Sequence, residues 1–332
     1  MSGTVCLAVY RPDEDLLRAQ IDSIRSQTLE GWECVIGIDG TDENARHAVE
    51  RIVGDDSRFR VIEYGTNVGF YRNFERLLGE VRTGIGWVAL SDQDDLWYPR
   101  KLELLVPLLD DADLAFGQAV VVSPGRPASD AVTTSRRSTT MAAAVIDNQV
   151  TGSIAVFRSS LLETALPMPA PTDSAFHDHW LGVCALAGRG IAVLDDAVQD
   201  YVQHGGNVIG EERRRTLGQR LGSLSRRSGG GARAGLDFIS AHRWGWRVNM
   251  ARTLLTRADD VPAAASSFLS AVARNRLTPA LTIGVLREIM ARRVPPLRAV
   301  ALLAGAWRAP GLARAASGTM RRRAGRTGAI EP

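Results

Sequence analysis

Two hydrophobic patterns alternate along the first 110 residues. Short, nearly unbroken apolar runs occupy positions 5–10, 32–38, 59–64 and 85–90. Runs of that length, bounded by turn residues, read as strands buried on both faces. Between them, apolar residues recur at helical spacing: Leu17, Ile21 and Ile24; then Ala45, Ala48, Val49 and Ile52; then Phe70, Phe74, Leu77, Leu78 and Val81. Pro12-Asp13 starts the first helix, Asp39-Gly40-Thr41-Asp42 stops the second strand, and Gly65-Thr66-Asn67-Val68-Gly69 is a loop. A fourth helix begins near Pro99, a residue suited to a first helical turn. Four strand–helix alternations predict an α/β fold, a mainly parallel central sheet with helices on both faces. Ligands of such sheets bind outside the carboxyl ends of the strands. Asp39 and Asp92 each stand at the exit of a strand, so both are expected on that edge.

Further on, residues 114–122 read as a strand, 123–140 as a Ser/Thr/Arg-rich loop, and 154–157 as another strand. Ser159-Ser160 is placed to cap a short helix. Phe176-His177-Asp178-His179-Trp180 opens a helix, and two strands at 191–194 and 198–203 end at His204-Gly205-Gly206-Asn207. After Glu211 the character changes. Three arginines at 213–215 precede a glycine-rich stretch, giving a linker at about 222–234, and Arg-rich helical segments follow from 236 to 307. The expected domains are therefore 1–210 and 211–332.

Charge sharpens that division. Residues 1–210 carry 17 basic and 30 acidic side chains, a net of −13; residues 211–332 carry 23 against 7, a net of +16. The basic helices either pack on one another and on the first domain, or adhere to an anionic membrane face or a membrane protein. Arginine richness beside a single lysine, Lys101, is weak evidence for nucleic acid, and none is expected as a partner. Hydrophobic content of 45% and a mean hydropathy of −0.07 fit a folded, soluble chain. Cys6, Cys34 and Cys184 lack metal-ligand spacing and are expected to be buried small hydrophobes. The start has no basic n-region, and no apolar run reaches the ~18 residues a membrane span requires, so a cytoplasmic protein is expected. No GxGxxG follows the first strand and no GxxxxGK[ST] occurs, which removes dinucleotide and P-loop readings.

The chemistry-bearing stretch is Ser91-Asp92-Gln93-Asp94-Asp95. Three carboxylates within four residues repel one another unless water or a cation relieves them. Two readings stand: a hard divalent cation carrying a diphosphate, or an acidic loop whose aspartate caps the next helix. Downstream, Asp178 lies outside this cluster and is the best candidate to take a proton from an attacking hydroxyl. It is also placed as a helix cap. His177 and His179 fall on different helix faces, which argues against a joint metal site.

The motifs QIDSIRSQT at 20–28, IDGT at 38–41, NVG at 67–69, SDQDDLWYPRK at 91–101, HDHW at 177–180 and QHGGN at 203–207 occur in that order. The set resembles family 2 glycosyltransferases with the GT-A fold, in particular rhamnosyltransferase-like members, over residues 4–210. The resemblance implies a metal-dependent, inverting transfer from a nucleotide-diphospho-sugar to a cell-surface glycan or lipid-linked acceptor. It implies Mg or Mn held by Asp94 with Asp92 and His204. It also implies a nucleotide-sugar site at Tyr10, Asp39, Asn67 and Asp92, Asp178 as general base, and an acceptor side at Gly152 and His177. Ile38 stands where the family often has a second aspartate. Asp39 as a turn former and His204 as a strand-end histidine remain alternatives. The rival functions are a metal-dependent nucleotidyltransferase and a sugar-nucleotide-binding scaffold without turnover.

Overall fold

A computed structural model of the chain describes residues 2–123, 125, 127–204, 232–258 and 261–327. Strand β1 (Gly3–Val9) lies between β2 (Trp32–Ile38) and β4 (Trp87–Ser91), with β3 (Phe59–Glu63) outside β2, and these four run parallel. Val5, Cys6 and Leu7 are fully buried, as the unbroken apolar run of a central parallel strand requires. The helices between them follow the predicted spacing. In α1 (Glu14–Arg25), Leu17, Ile21 and Ile24 are buried, and the Asp13 carboxylate accepts from the Asp15 and Leu16 amides at its start. In α2 (Glu43–Val53), Asp42 caps the helix through the Ala45 amide. Helix α3 (Gly69–Gly79) has no cap of its own at Val68.

Beyond β4 the sheet becomes mixed. β8 (Ala155–Arg158) is antiparallel to β4, and β6 (Leu114–Val122) is antiparallel to β8. β9 (Ile191–Val202) is parallel to β6 and carries the short β5 (Leu96–Trp97) on its other side. β7 (Val132–Thr133) adds to β6. Two reversals restore direction, so β6 and β9 run the same way as β4. The carboxyl ends of β1, β2, β4 and β9 and the amino end of β8 therefore share one edge.

Local departures from the sequence reading have physical causes. The two strands expected at 191–203 are one, because register shifts around Gln118 accommodate the exposed Asp195-Asp196 inside a continuous ladder. The loop expected across 123–140 is tied down at its far end: Gln118 Oε1 accepts from the Thr134 hydroxyl and the Arg136 amide. Ser160 precedes α6 (Leu161–Ala165) without a side-chain capping bond.

The chain divides into two compact units. The first comprises Met1–Thr140, Asn148–Met168 and Phe176–Glu212; the second comprises Met141–Asp147, Pro169–Ala175 and Arg213–Pro332. The first holds α4 (Lys101–Leu105), α6 and α7 (His177–Ala187) beside the sheet. The second takes α5 (Met141–Ile146) because Arg247 donates to the Val145 carbonyl and Arg298 pairs with Asp147, contacts that no hydropathy pattern announces. Its remaining helices are α8 (Ala232–Phe238), a π-helical turn at Ile239–Trp244, α9 (Gly245–Arg257), α10 (Ala263–Ala273), α11 (Pro279–Met290) and α12 (Pro296–Thr327). Trp244, Trp246, Leu254, Leu269 and Val285 form its core. The expected Gly205-Gly206-Asn207 turn, the arginines at 213–215 and the linker up to residue 231 lie outside the described residues. Among the described residues no helix is long and apolar enough to cross a membrane. All three cysteines are free and buried.

Candidate active site

The acidic loop leaves β4 at Ser91 and meets the exit of β9. Asp94 Oδ2 lies 2.8 Å from His204 Nε2, which joins residues that the chain keeps 110 positions apart. Asp92 is half-buried beside them. Burial, followed by the charges of Asp95, Asp94 and Asp178, holds its carboxyl well above the usual carboxylate range. Gln93, between the two aspartates, points back to the end of β1. Its Oε1 accepts from the Tyr10 amide at 2.8 Å and its Nε2 donates to the Tyr10 carbonyl at 3.1 Å. This reciprocal clamp sets the acidic loop against Tyr10, whose ring is exposed. Beneath the loop, Gln20 of α1 is buried and hydrogen-bonds the Ser91 hydroxyl at 2.8 Å.

Asp95 does not cap the following helix, contrary to the expectation for this position. It is buried and accepts from Gln199 Nε2 at 2.7 Å and from the Val202 amide at 3.4 Å. Gln199 also donates to the Ser153 hydroxyl at 3.0 Å and accepts from Lys101 Nζ at 2.8 Å. Lys101 donates further to the Ser153 carbonyl and lies 3.6 Å from the centre of the Trp97 ring. The chain's one lysine is thus fully buried under the acidic loop. Burial pushes Asp95 up to about 6 and pulls Lys101 well below its ordinary value, while the charged forms of the two support each other. The network exists because β9 runs beside β5 and places Gln199 opposite Trp97. It couples the acidic loop to the turn before β8.

That turn holds Asp178. The Gly152 amide donates to Asp178 Oδ2 at 3.3 Å, while Asn148 Nδ2, at 3.0 Å, and the His179 amide, at 2.6 Å, donate to Oδ1. Asp178 stands in the first turn of α7, where Phe176, not Asp178, is the N-cap residue. Burial pushes its carboxyl up to about 6, against the pull of these donors and of the Arg136 charge. A carboxylate with that value is ionised at neutral pH and more basic than a solvated aspartate, the property of a general base.

Tyr10 and Asn67 are exposed on the edge. Asp39 is 3% exposed, and its two oxygens accept from the Val68 and Gly69 amides, both at 2.8 Å. It therefore caps α3 from another loop and fixes Asn67. His177 is also buried, stacked on Phe74 with ring centroids 3.9 Å apart. Burial lowers its imidazole to about 3, so the ring is neutral. A Cβ at Gly152 would lie 2.7 Å from His177 Nε2, so the glycine is required by this packing. Gly152 contributes its amide to Asp178.

The donor set for a divalent cation is present in part. Asp94 and His204 offer an oxygen and a ring nitrogen at one point, next to the electrostatically loaded Asp92. Among the described residues no group of three or more His, Cys, Asp or Glu side chains is gathered to hold a metal.

Known proteins are similar to this chain over part of its length. Residues 4–163 match the glycosyl transferase family 2 model. An uncharacterized Sinorhizobium fredii protein, y4gI, is 32% identical over 108 residues, covering 32% of this chain and 12% of that protein. The Escherichia coli UDP-Glc:alpha-D-GlcNAc-diphosphoundecaprenol beta-1,3-glucosyltransferase WfgD is 28% identical over 105 residues, 31% of this chain and 39% of that enzyme. The chain thus spans well under half the length of these relatives. Residues 1–349 of S. aureus TarS, solved with UDP, superpose with a TM-score of 0.53 at 16% identity, covering 88% of this chain and 92% of that one. The fold is the GT-A fold of the family 2 enzymes.

Proposed function

We propose that the chain transfers a sugar, with inversion, from a nucleotide-diphospho-sugar to a hydroxyl of a cell-surface glycan or lipid-linked acceptor. The observation that carries this reading is the pairing of two differently built carboxylate centres on one sheet edge. One is Asp94 with His204. The other is Asp178, aimed by three N–H donors. In the proposed reaction the first centre holds the leaving diphosphate and the second accepts the proton of the attacking hydroxyl. Mg or Mn on Asp94 and His204 would supply charge stabilisation to the leaving group. Tyr10 and Asn67 would face the nucleotide, with Asp39 acting through the loop it anchors. Single displacement across the sugar inverts the anomeric centre. The family resemblance favours rhamnose as the donor sugar, and WfgD, named for UDP-Glc, and TarS, also solved with UDP-GlcNAc, make those two nucleotide sugars the next to try. The setting proposed is the inner face of a cell membrane.

A thermal-shift screen of these nucleotide sugars, with and without Mn or Mg, tests the donor half, since a ligand of the native state raises the melting midpoint. The expected result is a metal-dependent shift that Asp94→Ala abolishes and Asp178→Asn retains. Transfer to a glycan acceptor panel tests the other half and should disappear in Asp178→Asn. Unchanged transfer in that variant overturns the base assignment. Donor binding without transfer across a broad panel favours the scaffold reading.

A further inference from the structure

The surface of the second unit departs from a soluble protein's in a specific way. Helices α11 and α12 form an antiparallel hairpin: residues 291–295 join them at one end, and at the other the Leu277 amide donates to the Ala306 carbonyl at 3.1 Å. Their inward residues pack normally, with Leu281, Val285, Ala299, Leu302 and Ala306 buried. Their outward residues are large and apolar. Ile283, Leu286 and Met290 follow one another at i, i+3 and i+7 on α11, and Leu297, Val300 and Trp307 at i, i+3 and i+10 on α12. Met290 is 76% exposed and Trp307 64%. Single exposed apolar side chains are ordinary, but a run of six along one hairpin marks a surface that meets something.

The charge around this surface says what it meets. From 261 to 327 the sequence holds twelve arginines and one acidic residue, Glu288. Glu288 is buried and accepts from Arg293 at 3.2 Å, so it adds little negative charge to the surface. Arg274, Arg276, Arg287, Arg292 and Arg293 are exposed at the ends and flanks of the two helices. A second copy of the chain would bring the same positive charges against these arginines. A bilayer containing anionic lipid instead offers a hydrocarbon boundary for the apolar residues and phosphates for the guanidinium groups. Tryptophan is suited to the interfacial layer between the two.

We propose that the α11–α12 hairpin lies flat on an anionic membrane surface, with Ile283, Leu286, Met290 and Trp307 entering the interface and the flanking arginines on the headgroups. The occupant is the lipid surface, and the inference does not depend on sugar transfer. The full chain is sedimented with vesicles of pure phosphatidylcholine and with vesicles containing phosphatidylglycerol but no glycolipid. Binding is expected only with the anionic vesicles. The triple variant Ile283→Ser, Met290→Ser, Trp307→Ser should bind at least ~tenfold more weakly at unchanged net charge, a loss set by apolar area withdrawn from the interface. Arg287→Gln with Arg292→Gln should weaken binding in low salt and less so in high salt. Quenching of tryptophan fluorescence by brominated lipid should fall in Trp307→Phe. Circular dichroism confirms that each variant is folded. Equal binding by the folded triple variant overturns the proposal, as does a wild-type dimer in light scattering that the triple substitution dissolves without changing vesicle binding. A wild-type chain that binds the anionic vesicles yet transfers no sugar counts against the glycosyltransferase reading and leaves this one standing.

Discussion

The most heavily used exceptions to the inside–outside rule differ between the two compact units, although each unit has some of both kinds. In the first, the unusual residues are polar and buried: Lys101, Asp95 and Gln199 lie under the acidic loop, and Asp39 under the loop at 67–69. In the second, the unusual residues are apolar and exposed: Met290, Val300 and Trp307 on the α11–α12 hairpin. A buried ammonium or carboxylate is tolerated only with partners, and each of these has them. An exposed apolar ridge carries no such penalty in isolation; it lowers free energy only when something covers it. Buried polar groups in this protein are therefore evidence about positioning of its own residues, and exposed apolar groups are evidence about an external surface.

The largest expected effect tests the first half of that contrast. Asp178→Asn keeps the shape and most of the hydrogen-bonding capacity of the side chain, so folding should be nearly unaffected. Transfer should fall by about 10²–10⁴, the usual worth of a positioned proton acceptor. Enzymatic transfer and the melting midpoint, measured together, separate the two. A large drop in midpoint would mean that Asp178 belongs with the structural polar residues.

Lys101→Met comes next. It removes the ammonium from Gln199, from the Ser153 carbonyl and from the neighbourhood of Asp95, leaving buried acceptors unpaired. Breaking a buried charged network by deleting one member costs about 3–5 kcal/mol, read from urea unfolding. Lys101→Arg should not rescue it, because a planar guanidinium does not fit a point-charge site closed by the Trp97 ring at 3.6 Å. A loss below about 1 kcal/mol in Lys101→Met, within the range of ordinary surface changes and exposed ion pairs, would show that the network does not hold the acidic loop to the turn before β8.

These residues also show what the sequence makes legible. Apolar runs and helical spacing placed β1 to β4 and α1 to α3 to within a residue or two, because burial on both faces of a strand leaves an unbroken hydrophobic run. Motif order pointed to Asp94, His204 and Asp178, whose positions on one edge follow from strand direction. The partners were not legible. Gln93 reads as a spacer between two aspartates, and only the fold shows that it clamps Tyr10. Asp95 sits where a helix cap belongs, but β9 brings Gln199 from 104 positions away and claims it. Asp39 and His177 read from sequence as ligand-facing groups, and only the fold shows what holds them, the Val68 and Gly69 amides on one and the Phe74 ring on the other. Lys101 carries a signal in the sequence itself: it is the only lysine beside 39 arginines, and a site that rejects guanidinium is a compact buried one.

A smaller effect follows from the Asp178 environment. Burial pushes its carboxyl up to about 6, so the group is protonated below that pH and ionised above it. A general base must be ionised, and transfer should therefore rise as pH increases through about 6 and then level off. At one unit below that value the rate should be about tenfold lower than the plateau, since about a tenth of the carboxyls are ionised there. The rate under saturating donor, followed from pH 5 to 8, reads this limb. A limb centred near the ordinary aspartate value would mean that solvent reaches the carboxylate and that its burial is not part of the chemistry.

The smallest expected effect bears on the second unit and uses one helix as its own control. On α11, Leu281 is fully buried and Met290 is 76% exposed. Leu281→Ala should cost about 2–5 kcal/mol, the range for emptying a core position. Met290→Ser removes more apolar surface from the side chain itself, yet it should change stability by no more than ~0.5 kcal/mol, because that surface faces water in the folded chain as in the unfolded one. Urea unfolding without lipid compares the two directly. Equal losses would mean that Met290 is covered within the folded protein, and the ridge would then be core. A near-zero loss for Met290→Ser, combined with weaker vesicle binding, leaves an external surface as the reason for an apolar side chain at that position.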